Sequence, residues 1–214
     1  MGVTGSTIQG NLVTENAGGI LLTDEVGPTA HNVIEGNYVV DNAWDCGITL
    51  AAHSSLAVSN GQLDPNKAGV YDNQILNNVS MDNGLADGAG AGVLIAAAAP
   101  GAAAYDNLVQ YNSIIGNGNP GVTMHSHAPN QYLGGNQILN NYFSDDNTEG
   151  DPDAGVKATV GVLVWSAVVP VPQTTIEGNL FSDVQDAVWL HNTVGTNVSG
   201  SALLSGVGSA VAQG

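Results

Sequence analysis

Arginine is absent from this chain of 214 residues, and Lys67 and Lys157 are its only strongly basic side chains. Against them stand 19 Asp and Glu residues, giving a formal charge of -17. Nucleic-acid binding replaces phosphate counterions with Lys and Arg, so DNA and RNA are excluded as partners. The same deficit disfavours anionic membrane surfaces, and polyuronates unless cations bridge the two negative partners. A single cysteine, Cys46, cannot form an internal disulfide and leaves the compartment undecided. No apolar run approaches the roughly 18 residues of a membrane span. No basic start followed by an apolar stretch precedes Met1-Gly2-Val3, so an export signal is not expected within this sequence.

What the chain has in abundance is repetition. Ile8-Gln9-Gly10-Asn11, Ile34-Glu35-Gly36-Asn37, Ile75-Leu76-Asn77-Asn78, Val109-Gln110-Tyr111-Asn112, Ile138-Leu139-Asn140-Asn141 and Ile176-Glu177-Gly178-Asn179 share one pattern ending in asparagine. A second asparagine follows five residues later at Asn16, Asn42, Asn83 and Asn117, with Asp146 in that place in the fifth copy. A short strand then recurs as Gly19-Ile20-Leu21-Leu22, Gly47-Ile48-Thr49-Leu50, Gly92-Val93-Leu94-Ile95, Gly121-Val122-Thr123-Met124, Gly161-Val162-Leu163-Val164 and Ala187-Val188-Trp189-Leu190. Steps of 26, 41, 34, 29 and 38 residues separate the repeated asparagines, so strands are kept while connections vary. The longest connections are Ser54 to Lys67, Leu85 to Ala91, Ala96 to Ala104 and the acidic stretch Asp145 to Ala158; none has a helical apolar period. Stacked coils put equivalent positions directly above one another, and asparagines so placed can pass amide hydrogen bonds from coil to coil. An antiparallel sandwich gives no reason for such recurrence.

These Asn-x-Ile-x-x-Asn and Gly-Ile-x-Leu repeats resemble right-handed parallel β-helix proteins of the pectin-lyase-like superfamily. They are also similar to exported bacterial β-helix proteins and the β-helix accessory proteins of nitrous oxide reductase. The resemblance implies an all-β, right-handed parallel β-helix of about six coils over residues 1–193, with 194–214 as a worn last half-coil or flexible tail. It further implies a secreted or periplasmic protein. It does not choose a function, because that fold carries lyases, hydrolases, epimerases, adhesins and passive scaffolds.

Side chains alternate across a strand, so Ile48 and Leu50 face the core while Thr49, Ala51 and His53 face outward. The equivalent outward sets are Leu21, Thr23 and Glu25; Leu94, Ala96 and Ala98; Thr123, His125 and His127; Leu163, Trp165 and Ala167; and Trp189, His191 and Thr193. With coils about 4.8 Å apart, His53 and His127 should stand about 9 to 10 Å apart over a floor of alanine. His125 lies beside them and Glu25 one rung below His53. Three converging imidazoles can hold Cu or Zn, so His53, His125 and His127 are candidate metal ligands. The same histidines with Glu25 as orienting acid would instead serve as the catalytic groups of a lyase or epimerase acting on a polysaccharide. In that reading Trp165, Trp189, Thr49 and Thr123 are the substrate-binding residues. Pectate-type lyases use Arg or Lys near the scissile carbon, which this chain does not supply there. Asp145, Asp146, Asp151 and Asp153 form one acidic loop expected to be solvated or to bind Ca²⁺. Asp24 and Asp45 read as turn residues, and Cys46 as a buried, inert thiol. A purely structural or adhesive solenoid is the third reading, with its open ends capped by loops, a partner or another subunit.

Overall fold

A computed structural model of the chain describes residues 2–86 and 90–214. Residues 87–89 of the connection expected at Leu85 to Ala91 lie outside the described residues. The described residues contain no helix. Three parallel sheets of seven strands each run the length of the molecule, and successive coils contribute one strand to each. This is the right-handed parallel β-helix that the repeats imply, with seven rungs rather than about six.

One coil shows how the sequence makes the turn. Val33–Glu35 lies in the first sheet and Tyr38–Val40 in the second. Between them Gly36 takes φ 61° and Asn37 follows. A single left-handed residue therefore bends the chain, and the asparagine after it satisfies the backbone that the bend exposes. Asn77, Tyr111, Asn140 and Gly178 occupy the same left-handed position in later coils. In the stack, Asn37 Nδ2 donates to Asn78 Oδ1 at 3.0 Å, Asn78 Nδ2 to Asn112 Oδ1 at 3.0 Å, and Asn112 Nδ2 to Asn141 Oδ1 at 2.9 Å. The second column, through Asn42, Asn83 and Asn117, ends on Asp146. A third ladder, Asn32 to Asn73 to Asn107 to Asn136, lies outside the two repeated asparagine columns and joins the connections of successive coils.

The core is a pile of single apolar residues. Ile34, Ile75, Val109, Ile138 and Ile176 stack in register in the first sheet and are fully buried. Phe143 and Phe181 stack in the second, 5.1 Å between ring centroids. The glycine at the start of most third-sheet strands is a packing requirement, seen at Gly47. A Cβ on Gly47 would lie 2.2 Å from Ser80 Oγ, and that hydroxyl is committed to Gly92 O at 2.8 Å.

Residues beyond 194 carry Asn197–Ser199, Ala202–Leu203 and Ser209–Gln213, which pair with the preceding coil in all three sheets. The outer side of this last rung is open: Leu203 and Leu204 are 46% and 49% exposed. The Ser54 to Lys67 connection contains the antiparallel pair Val58–Ser59 with Gln62–Leu63.

Candidate metal centre

Strand register in the third sheet reproduces the expected outward columns. Leu21, Thr49, Leu94, Thr123, Leu163 and Trp189 are aligned, as are Thr23, Ala51, Ala96, His125, Trp165 and His191. His125 is thus held on a seven-stranded sheet with Ala96 below it and Trp165 above.

His127 lies just past the end of Val122–Ser126, where register no longer guides the chain. Gln131 fixes it. The Gln131 side-chain oxygen accepts from His127 N at 2.6 Å, Ala128 N at 2.8 Å and Ser126 Oγ at 2.9 Å, while its amide donates to Ala97 O at 2.7 Å. His127 therefore stands against His125, with ring centroids 5.3 Å apart, and against Trp165 at 5.0 Å.

His53 does not join them. Its backbone N donates to the buried Asp24, at 2.7 Å, and its Nδ1 faces Thr23 Oγ1 at 3.1 Å and the Glu25 carboxylate. The expected His53–Glu25 pairing is present, two rungs from His127, but the three-histidine convergence is not. Asp24, expected as a turn residue, anchors that turn by accepting from His53 N, Ser54 N and Gly69 N.

The third donor comes from the acidic stretch, which departs from its expected solvated course. Asn147 Nδ2 donates to Val156 O and Ala158 O, and Asp151 and Val156 exchange backbone hydrogen bonds of 2.8 and 3.1 Å. Val156 packs on Val160 and Leu163, with Trp165 and Trp189 against the same cluster. The segment is thereby folded down over the third sheet, bringing Asp151 and Asp153 to His125. Asp151 Oδ2 is 3.1 Å from His125 Nε2. Asp153 Oδ2 is 3.5 Å from His125 Nδ1 and 3.8 Å from His127 Nε2. Nothing in the repeat pattern signals this, because the loop lies outside the repeat.

Electrostatics follow from this packing. Burial and the neighbouring His125 hold the His127 imidazole below its ordinary pKa, against the opposing pull of Asp153 and Asp151. For Asp151 burial alone would raise the pKa, but the hydrogen bond and charge of His125 outweigh it and hold the carboxyl below the usual range. The buried Cys46 thiol is pushed up to about 12 by burial and the Asp45 charge, so it remains protonated.

Among the described residues, one nitrogen from each of His125 and His127 and one oxygen of Asp153 lie within 4.8 Å of one another. Bonds of about 2.0 to 2.2 Å from a first-row metal to N and O donors place ligand pairs about 3 to 4 Å apart. The two separations to Asp153 already fall there. A family model described as periplasmic copper-binding protein (NosD) matches residues 2–185. The chain belongs to the NosD family. No curated protein and no solved structure matches it.

The remaining candidates are less open than a substrate groove requires. In this NosD-family chain Thr123 is 1% and Thr49 8% exposed. Trp165 and Trp189 are half-buried, packed with Ala154, Val156 and Ala158. A cavity of about 160 Å³ does lie between the acidic segment and the sheet, lined by Asp45, Leu94, Thr123, His125, Asp151 and Asp153 among others. No helix among the described residues is long and apolar enough to cross a membrane.

Proposed function

We propose that this protein is a periplasmic β-helix module that binds one divalent copper or zinc ion through His125, His127 and Asp153. The convergence of two imidazole nitrogens and one carboxylate oxygen carries the reading. The donor set fits: imidazole suits Cu and Zn, and the carboxylate offsets part of the ion's charge in a half-buried setting. The family's description as periplasmic and copper-binding supports both the ion and the location.

When bound, such an ion supplies a Lewis-acid centre and, for copper, a one-electron couple. The chain's own part is to aim the donors and limit water. The sheet holds His125, Gln131 holds His127, and the folded-down acidic segment holds Asp153. Trp165 closes one side. A sugar-modifying role has less support, since both tryptophans are half-buried against the acidic segment and His53 with Glu25 lies two rungs away from the other histidines.

Elemental analysis of protein dialysed against trace Cu and Zn tests the reading. The parent and His53→Ala should retain about one ion per chain, in keeping with a single three-donor site. His127→Ala and Asp153→Asn should lose it. A parent that retains no metal, or variants that all retain it, would overturn the assignment.

A further inference from the structure

The donor cluster leaves one carboxylate unused. Asp151 touches His125 at Nε2, while Asp153 faces the other ring nitrogen, Nδ1, and the Asp151 side chain is 1% exposed whereas that of Asp153 is 53% exposed. Its position is tightly determined. Backbone bonds to Val156 hold the main chain on both sides, and Asp151 Oδ1 accepts Ala154 N at 2.8 Å. The other oxygen, Oδ2, is directed at His125 Nε2, 3.1 Å away.

We propose that Asp151 is the positioning residue of the metal centre: it accepts the Nε2 proton of His125, fixes that ring as the Nε2–H tautomer, and leaves Nδ1 bare toward Asp153, the carboxylate that His127 Nε2 also approaches. The argument is one of proton bookkeeping. A carboxylate oxygen shut away from water requires a donor, whereas the half-exposed Asp153 can be hydrated. A neutral imidazole has a single N–H, and the buried oxygen claims it. Nδ1 then presents a lone pair 3.5 Å from Asp153 Oδ2, itself an acceptor. Two acceptors facing each other, with His127 Nε2 3.8 Å from the same oxygen, are reconciled by a cation between them. A buried carboxylate behind a ligating imidazole has this orienting effect at metal sites generally.

The proposal rests on the metal reading only for its affinity arm, and the experiment separates the two. Protein of full length, labelled with ¹⁵N-histidine and stripped of metal, is studied by long-range ¹H–¹⁵N NMR at pH 8. Affinity for Zn²⁺ and Cu²⁺ is measured alongside. The parent should show His125 as the Nε2–H tautomer. In Asp151→Asn the amide oxygen keeps the Ala154 bond and the NH₂ group faces Nε2, so the ring proton should move to Nδ1. Affinity should fall about 10- to 100-fold. Asp153→Asn should also lose affinity while His125 keeps the parent tautomer. An Nδ1–H or doubly protonated ring in the parent, or an Asp151→Asn variant with unchanged tautomer or unchanged affinity, overturns the proposal. The parent spectrum decides the tautomer even where a variant folds poorly. A parent with the Nε2–H tautomer but no metal binding would sink the metal reading and leave the proton placement standing.

Discussion

Replacing Asp146 with Asn should stabilise this protein, and by an amount that grows with pH. Asp146 is fully buried and closes an asparagine ladder, its Oδ1 accepting Asn117 N at 3.1 Å and Asn117 Nδ2 at 2.8 Å. The other oxygen, Oδ2, has no partner. Its place in the column is where Asn83 Nδ2 donates to Val39 O and Asn117 Nδ2 to Ser80 O. Ser80 pairs with Ile114 in the next rung, so the atom facing Oδ2 by ladder geometry is the Ile114 carbonyl, another acceptor. Burial, with the Asp145 charge adding, raises the Asp146 pKa well above its ordinary value despite the Asn117 bonds. The folded state thus keeps its carboxyl proton to higher pH than the unfolded chain, which ionises near about 3.9. Above that pH the unfolded state binds fewer protons than the folded one. Stability from this group falls by about 1.4 kcal/mol per pH unit until the folded-state pKa is reached. A carboxamide has no such slope, and its NH₂ supplies at every pH the donor that the carboxyl loses when it ionises. Urea unfolding followed by circular dichroism from pH 4 to 8 should show parent and Asp146→Asn close together at the acid end and diverging as pH rises. Parallel curves would refute the reasoning.

The other expectations concern the ladder, the glycines and the histidines. Asn78→Ala removes an amide that accepts from Asn37 N and Nδ2 and donates to Asn112 Oδ1 and Ile34 O. With at least two buried groups left unpaired at about 1 to 3 kcal/mol each, it should cost about 3 to 5 kcal/mol in the urea midpoint or abolish folding. Gly47→Ala should destabilise by about 2 kcal/mol or more, because the added methyl meets Ser80 Oγ at 2.2 Å and Gly92 O at 2.9 Å. An unchanged melting temperature would contradict that packing account. For His127 the folded pKa is depressed, so as pH falls through the ordinary imidazole range the unfolded chain takes up the proton first and this group's contribution to stability declines. An NMR titration of the metal-free protein should place the His127 midpoint below about 6.5, and a midpoint at or above that would argue against the burial described. Gln131→Ala should release the turn holding His127 and weaken Cu²⁺ and Zn²⁺ binding with far less effect on His125. Equal affinity to the parent would remove Gln131 from the site.

The repeat carried most of the fold. Asparagine after a left-handed residue, and glycine before an apolar strand, recur because each coil solves the same steric problem at the same point. Reading their recurrence therefore reads the architecture and the register. That register puts His125 beside Ala96 and Trp165, and Glu25 beside His53. The last coil is worn in sequence for a physical reason. The last rung has no neighbour above it, so its residues are free to lose the pattern while its backbone still pairs with the rung below.

What the sequence by itself determined is whatever period 2 within a strand and the coil-to-coil repeat can specify: the stack, the ladders and the outward columns. The tertiary structure alone decided the site. Asp153 and Asp151 reach His125 because Val156 finds an apolar seat on Val160 and Leu163 and pulls the acidic segment down with it. His127 turns toward Trp165 because Gln131, five residues beyond the strand end at Ser126, ties off three donors at once. Connections outside the repeat obey no period, and their course is set by which surface each one buries.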